Sequence, residues 1–126
     1  MKKQLEQLKE FHHAFGLGWR DDVSELSEEE KNFRITLMNE EMNEAIAAMK
    51  DGAPEDIAKE LADVLYVVYG TIGECGLADK MERIFDEVHK SNMSKLGPEG
   101  KPLYREDGKV LKGPHYAPPD IKSILS

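Results

Sequence analysis

The sequence is poor in cysteine and lacks any long hydrophobic run. Cys75 is its only cysteine, so an internal disulfide is excluded and a reducing compartment is expected. The longest mostly apolar run, residues 61–72, is interrupted by Asp63 and is much shorter than the roughly 20 residues that cross a bilayer. No apolar stretch follows the lysines near the start, so a secretory signal is not expected. These features predict a cytoplasmic protein that is not associated with a membrane.

Positive charge is also scarce. The chain has 17 Lys and Arg against 25 Asp and Glu, a net charge of −8, which argues against general nucleic-acid binding. Residues 1–87 carry 10 basic against 21 acidic side chains, whereas residues 88–126 carry 7 against 4. This acidic body and basic tail are either ordinary solvated surface, or a body that holds cations and a tail that binds an anionic ligand.

Apolar residues recur at helical spacing over most of the 126 residues, which predicts one all-α domain. We expect long helices near 2–15, 28–50, 54–76 and 78–96, and a short helix at 120–125. Ser27 with Glu30 forms a capping-box pattern, Gly52 is a stop signal, and Pro54 is a typical first-turn residue. The predicted fold is a bundle of four to five helices spanning residues 1–126, with 97–126 as an extended basic tail.

Two segments lead to more specific expectations. From Leu61 onward the third helix is apolar nearly all round, which predicts burial on most sides. One protomer has too few helices to enclose it, so we expect a second subunit to pack against it. In the tail, Asp107-Gly108 is a turn signal that predicts a short β-hairpin or an ordered loop. His12 and His13 are expected at a helix surface or interface.

Two pairs of carboxylates stand out. Glu41 and Glu44 are three residues apart, as are Glu60 and Asp63, so each pair shares one helix face. Like charges placed in this way cost about 0.2–0.5 kcal/mol per pair, and more where an apolar surrounding removes water. A hard divalent cation would compensate this repulsion. The alternative is that these residues are simply the surface of an acidic protein.

The acidic strings resemble the signature of a known superfamily. Glu40-Glu41-Met42-Asn43-Glu44 and Glu60-Leu61-Ala62-Asp63 are similar to the EExxE…ExxD motifs of the all-α nucleotide pyrophosphohydrolases. These include MazG proteins, dimeric dUTPases and phosphoribosyl-ATP pyrophosphohydrolases. The strings ELADVLYVVYG, EVHKSNMSK and DGKVLKGPHYAPPDI resemble the MazG-like branch nearest to dimeric dUTPases. The resemblance covers about residues 5 to 122 and implies a MazG-like bundle that forms a homodimer or a dimer of dimers.

The resemblance implies cleavage of a nucleoside triphosphate between the α and β phosphates, which gives the monophosphate and pyrophosphate. Mg²⁺ would be the cofactor, with Mn²⁺ as a substitute. Its implied ligands are Glu41, Glu44, Glu60 and Asp63, and Glu40 would contact an additional metal or help orient water. Glu41 or Glu44 would accept the proton of the attacking water. The expected substrate is dUTP or another (d)NTP in a house-cleaning role, with phosphoribosyl-ATP as the alternative.

Direct contacts to the substrate are also implied. Asn92 and Lys95 resemble a phosphate-binding pair, and Lys109 and Lys112 in the tail are further phosphate-binding candidates. A solvated lysine at a helix end is the plain alternative for Lys95. Trp19, in a glycine-rich connection, is a weaker candidate for stacking on the base.

Two other classes of protein compete with this prediction. A di-iron carboxylate bundle usually needs two Glu-x-x-His motifs, and Asp86-x-x-His89 is the only similar pair here. A non-catalytic nucleotide-binding relative would be expected to have lost motif acids, yet all of them are present.

Overall fold

The computed structural model describes residues 1–126 and is built from helices. They are α1 Lys2–Ala14, α2 Glu28–Asp51, α3 Pro54–Glu74, α4 Met81–Met93 and α5 Ile121–Leu125, with a 3₁₀ turn at Pro98–Gly100. The predicted all-α fold class is therefore confirmed. The chain divides into two compact units, Met1–Asp79 and Lys80–Ser126, which are described separately below. None of the helices is both long and apolar enough to cross a membrane.

The ends of α2 and α3 follow from local hydrogen bonds. The amide of Glu30 donates to Ser27 Oγ at 3.2 Å, and the amide of Ser27 donates to Glu30 Oε1 at 2.9 Å, which completes the capping box. At the other end of α2, the Gly52 amide donates to the Ala48 carbonyl at 2.7 Å. Pro54 then opens α3, so that only Gly52 and Ala53 separate the two helices and α2 and α3 form an antiparallel hairpin.

In the first unit, α3 packs against both α1 and α2. The buried apolar side chains are few, namely Leu5, Leu8, Leu26 and Ala45. Glycines of α3 allow close approach, because a Cβ at Gly70 would lie 2.6 Å from His12 Nε2 and a Cβ at Gly73 would lie 2.0 Å from the Trp19 ring. The α3 surface facing α1 is therefore shaped for a histidine and a tryptophan.

Of the two expected positions, His12 takes the helix interface, where it packs against Gly70 of α3, and His13 is exposed at the surface. The His12 side chain is only 1% exposed, and its Nδ1 donates to the carbonyl oxygen of Gly18 at 2.7 Å. Its ring also meets the Trp19 ring edge-on, with centroids 5.6 Å apart. His12 is thus a buried polar residue that ties the connection after α1 to the helix, since a buried ring nitrogen requires a hydrogen-bond partner.

A buried ion pair links α2 to α3. Arg34 Nη1 lies 2.8 Å from Glu74 Oε2, and the two side chains are 4% and 9% exposed. The remaining guanidinium nitrogens of Arg34 donate to Thr71 Oγ1 and to the Val67 carbonyl, both at 3.0 Å. Arg20 donates to the backbone carbonyl of Glu74 at 2.7 Å. Because the guanidinium is so fully hydrogen-bonded, the cost of burying its charge is largely offset.

Part of α3 remains uncovered within the first unit. Leu61 is 48% exposed and Leu65 is 53% exposed, although this stretch is nearly continuous in apolar residues. The first unit alone therefore does not bury this helix on most sides, and the expected subunit contact stays a prediction.

In the second unit the tail is tied to α4 by hydrogen bonds. Ser91 Oγ donates to the Ala117 carbonyl at 2.7 Å, and the Ala117 amide donates to Ser94 Oγ at 3.0 Å. The Asp107-Gly108 turn forms an ordered loop with one isolated bridge, between Tyr104 and Val110. The loop alternative of the tail prediction is therefore the one observed.

We expect Arg34→Met to lower the free energy of unfolding by about 3–5 kcal/mol, because Glu74 is left buried without its counter-charge. Replacing both residues, as in Arg34→Met with Glu74→Met, should cost less than the sum of the two single changes. Urea denaturation of the four proteins measures this coupling. Lys31→Met, which breaks only exposed ion pairs with Glu25 and Glu28, is the control and should change stability little. Strictly additive losses would contradict a coupled pair.

Candidate metal centre

The hairpin of α2 and α3 places the predicted acids at similar heights along the two helices. Glu41 and Asp63 each lie eleven residues from Gly52, and Glu44 and Glu60 each lie eight residues from it. A helix rises about 1.5 Å per residue, so residues equally distant from the turn of an antiparallel hairpin come to the same height. The register of the hairpin therefore places all four carboxylates in one short stretch.

Three of these carboxylates form a cluster. One oxygen each from Glu41, Glu60 and Asp63 lies within 4.8 Å of the other two, and all three residues are half-buried. Glu44 and Glu40 are exposed and stand outside this group. The structure thus brings together three of the five predicted acidic residues, with Glu44 close enough for its charge to act on Glu41.

Two oxygens of the cluster are buried and unpaired. Glu41 Oε2 and Glu60 Oε2 are shielded from solvent and have no hydrogen-bond partner. Buried polar atoms in folded proteins are nearly always paired, and buried carboxylates of like charge repel. The unpaired oxygens therefore fit a bound cation as their missing partner.

The donor set is made of oxygen alone, since the cluster contains neither histidine nor cysteine. Carboxylate oxygens suit hard cations such as Mg²⁺, Ca²⁺ and Mn²⁺. Asp86 and His89, the pair considered for a di-iron site, are exposed residues of α4. The ligands present thus favour a hard divalent cation over an iron pair.

The cluster changes the acidity of Glu41. Burial is the main cause that raises the pKa of its carboxyl above the ordinary value, and the charges of Glu44, Asp63 and Glu60 raise it further. Lys59 acts in the opposite direction. A carboxyl that resists ionisation in the metal-free protein gains the most from a cation that favours its charged form.

Lys59 is the neighbour of the cluster that sequence reasoning missed. Its Nζ lies 2.8 Å from Asp63 Oδ2 and 3.2 Å from Glu60 Oε1. The spacing of four residues between Lys59 and Asp63 is the signal that predicts this pair.

The predicted phosphate-binding residues belong to the second unit. Asn92 is exposed in the last turn of α4, and Lys95 follows the helix as a half-buried residue. The Gly113 amide donates to the Lys95 carbonyl at 2.8 Å, which ties the tail beside this lysine. Lys109 and Lys112 are exposed, and Lys112 Nζ lies 4.7 Å from the centre of the Tyr116 ring. Within this unit, backbone contacts therefore bring Lys95 and Lys112 into the same region.

Trp19, the predicted base-stacking residue, is half-buried. Its ring lies against Gly73 and His12, so at least part of its surface serves internal packing. A separate open cavity of about 340 Å³ lies between α1 and α3. Its lining includes the side chains of Gln4, Gln7, Tyr66 and Tyr69, which combine amide groups with aromatic rings.

Comparison with known protein families and solved structures gives matches that cover most of the chain. The sequence profile of the family described as phosphoribosyl-ATP pyrophosphohydrolase matches residues 8–92, a range that contains every acid of the predicted motif. A crystal structure from Exiguobacterium sp. 255-15, provisionally assigned as an NTP pyrophosphohydrolase, is 23% identical to the chain. The match covers 94% of this chain and 90% of that chain, with a TM-score of 0.44. No curated protein sequence matches the chain significantly.

We expect Glu41→Gln to raise the melting temperature of the metal-free protein at pH 7–8 by about 3 °C, because it removes a half-buried charge from a repulsive cluster. The raised pKa of Glu41 means that the folded state holds this proton more tightly than the unfolded state. The stability that Glu41 contributes is therefore present at low pH and lost as pH rises through its folded pKa. The gain from Glu41→Gln should accordingly shrink as pH is lowered.

Thermal melts in chelator and in Mg²⁺ or Mn²⁺, at several pH values, measure both effects. The variant should also lose the stabilisation that the cation gives to the wild type. Glu29→Gln, an exposed change in the first turn of the same helix, should keep that stabilisation and show no gain. A cation response that survives Glu41→Gln would argue against Glu41 as a ligand.

Proposed function

This chain belongs to the phosphoribosyl-ATP pyrophosphohydrolase family, whose profile covers about two thirds of it, and we propose that it is a Mg²⁺-dependent enzyme that cleaves a nucleoside triphosphate between the α and β phosphates. Pyrophosphohydrolase activity follows from the family. The choice of a nucleoside triphosphate and of Mg²⁺ is the proposal. The observation that carries it is the cluster of Glu41, Glu60 and Asp63, with its two buried and unpaired oxygens.

In this proposal, Glu41, Glu60 and Asp63 hold Mg²⁺, and Glu44 at the margin of the cluster adds a further oxygen. Glu40 contacts an additional ion or orients water. Mn²⁺ can replace Mg²⁺, because both accept oxygen ligands. When bound, the ion would neutralise charge on the phosphate oxygens and favour ionisation of water.

A carboxylate of α2 would accept the proton of the attacking water. Glu41 and Glu44 are the two candidates. The raised pKa of Glu41 belongs to the metal-free protein, and a bound cation would lower it, so this pKa does not select between the two candidates. Glu44 is exposed and outside the cluster, which leaves its oxygens available for the same task.

The proposed phosphate-binding residues are Asn92, Lys95, Lys109 and Lys112, as the resemblance of the motifs implies. Lysine ammonium groups and the Asn92 amide donate hydrogen bonds to phosphate oxygens, and such charge-assisted bonds are strong. Lys95 and Lys112 lie in one region of this unit, while Lys109 is exposed on the loop beyond it.

The proposed substrate is dUTP or another (d)NTP, as the resemblance of the motifs implies. Phosphoribosyl-ATP is the second candidate, and the description of the matching family favours it. Both substrates present a polyphosphate to be cleaved at the same bond, so the metal centre alone does not separate them. Trp19 is the proposed contact with the base.

We also infer that the protein is a homodimer or a dimer of dimers. The exposed Leu61 and Leu65 of α3 support this proposal, because uncovered apolar helix surface is typical of subunit contacts. Sedimentation equilibrium that returns the mass of a single chain, 14.3 kDa, would rule it out.

We expect wild-type protein to release pyrophosphate from at least one member of a panel of (d)NTPs and phosphoribosyl-ATP in Mg²⁺ or Mn²⁺. Glu44→Gln should lower kcat by about 100-fold or more, whether Glu44 acts as a ligand or as the base. Thermal melts of Glu44→Gln with and without the cation then separate the two roles. If Glu44 is a ligand, the variant loses the stabilisation that the cation gives, and if Glu44 acts only as the base, the variant keeps it. Glu29→Gln is the matched control and should be fully active. Unchanged release by Glu44→Gln would remove this residue from the mechanism, and inactivity on every substrate would refute the proposal.

We expect Lys95→Gln to lower kcat/KM by about tenfold or more, because a charge-assisted hydrogen bond to phosphate is lost. Lys90→Gln removes the same charge from an exposed position in the last turn of α4 and should leave kcat/KM unchanged. Steady-state kinetics of both variants, with Lys95→Arg as the charge-conserving variant, measure the difference. Equal effects of Lys90→Gln and Lys95→Gln would show that the overall positive charge of this region matters rather than Lys95 itself.

A further inference from the structure

Lys59 makes contacts that an ordinary surface lysine does not need. Its Nζ reaches Asp63 Oδ2 at 2.8 Å and Glu60 Oε1 at 3.2 Å. Residues four apart face each other along a helix, but adjacent residues do not. Because its ammonium group contacts both acids, the Lys59 side chain bends towards the cluster rather than extending away from it.

The order of the pair also argues against a simple helix-stabilising role. A lysine that precedes its acid by four residues is the less favourable orientation, because it opposes the helix dipole. The pairing of Lys59 with Asp63 is better explained by the combined charge of the carboxylates at this position.

The contacts of Lys59 satisfy only part of the cluster. The Lys59 side chain is 67% exposed, whereas that of Glu60 is 17% exposed, so the ammonium approaches from the solvent side. It takes one oxygen of Glu60, while the other oxygen of Glu60 and Oε2 of Glu41 remain buried and unpaired. The two oxygens that Lys59 contacts, Glu60 Oε1 and Asp63 Oδ2, therefore have a counter-charge. The buried Oε2 atoms of Glu41 and Glu60 do not.

We infer that Lys59 is an internal counter-ion of the carboxylate cluster, which it partly neutralises in the metal-free protein and from which a divalent cation must displace it. This inference rests on the proposed function, because it takes the cluster to be the cation site. Two opposite consequences follow. Lys59 stabilises the metal-free fold by reducing repulsion among the acids, and it weakens cation binding by competing for Glu60 and Asp63.

Three variants of the full chain test this role. Lys59→Met keeps most of the side-chain length and removes the charge, and Lys59→Arg keeps the charge. Lys31→Met is the matched control, since Lys31 also pairs with two acids, Glu25 and Glu28, in the same unit but outside the cluster. The readouts are Mn²⁺ affinity, from the electron paramagnetic resonance signal of free Mn²⁺, and melting temperature in chelator and in saturating Mn²⁺.

We expect Lys59→Met to bind Mn²⁺ roughly three- to tenfold more tightly, as removal of one nearby, solvent-screened positive charge would give. Its melting temperature should fall in chelator and recover in saturating Mn²⁺. Lys59→Arg should bind Mn²⁺ within about twofold of the wild type, and Lys31→Met should match the wild type in Mn²⁺ affinity.

The outcomes separate this inference from the proposed function. If the wild type binds Mn²⁺ and Lys59→Met binds it with equal or lower affinity, the counter-ion role is overturned while the metal centre stands. If neither protein binds Mn²⁺, the metal centre itself is wrong. If only Lys59→Met binds Mn²⁺, Lys59 blocks the site more strongly than we infer, and competition by this residue is still supported.

Discussion

The candidate site depends on how α2 and α3 are held together. The short turn at Gly52 joins the two helices at one end of the hairpin, and Arg34 ties them at the other, through the ion pair to Glu74 and hydrogen bonds to Thr71 and Val67. Between these two fixed points, sliding of one helix along the other would break either the turn or the buried charge pair. The carboxylates lie in this interval, so their separation is set by contacts that do not involve the acids themselves.

This arrangement explains how like charges can remain close together. Glu41, Glu60 and Asp63 would separate if the hairpin were free to slide or to rotate, since repulsion grows as water is excluded. The buried ion pair and the small core of α1 and α3 resist that relaxation. Part of the folding free energy is thus used to hold an unfavourable cluster, and a bound cation would return it as binding free energy. The repulsion within the cluster and the proposed affinity for a cation would then have the same origin.

Local signals in the sequence predict most of the fold. Ser27, Gly52 and Pro54 mark the ends of α2 and α3 because caps depend on neighbours within a few residues. The sequence leaves open whether His12 lies at a surface or an interface, because its hydrogen-bond partner is the backbone carbonyl of Gly18 and no side-chain pattern reveals such an acceptor. Arg34 and Glu74 are not singled out by the sequence because charged residues usually lie at surfaces, and only the packing of α2 on α3 shows that they meet. The acidic motif predicts the location of the cluster, whereas the exposure of Glu44 depends on the rotation of the helices. Helical spacing predicts the contact of Lys59 with Asp63, but not its additional contact with the adjacent Glu60.

The contrast between the two ionic groups of the first unit sharpens the case for a cation. Arg34 and Glu74 are both buried, yet each of the three guanidinium nitrogens of Arg34 has a partner, and one of these partners is the Glu74 carboxylate. Glu41 and Glu60 are less buried, yet each keeps an oxygen that is shielded and unpaired. The same hairpin therefore leaves no solvent-shielded atom of the Arg34 and Glu74 side chains unpaired, whereas Glu41 and Glu60 each keep one such oxygen. The hairpin pairs the buried charges of Arg34 and Glu74 within the fold. The unpaired oxygens of the cluster therefore favour a bound ligand over imperfect packing.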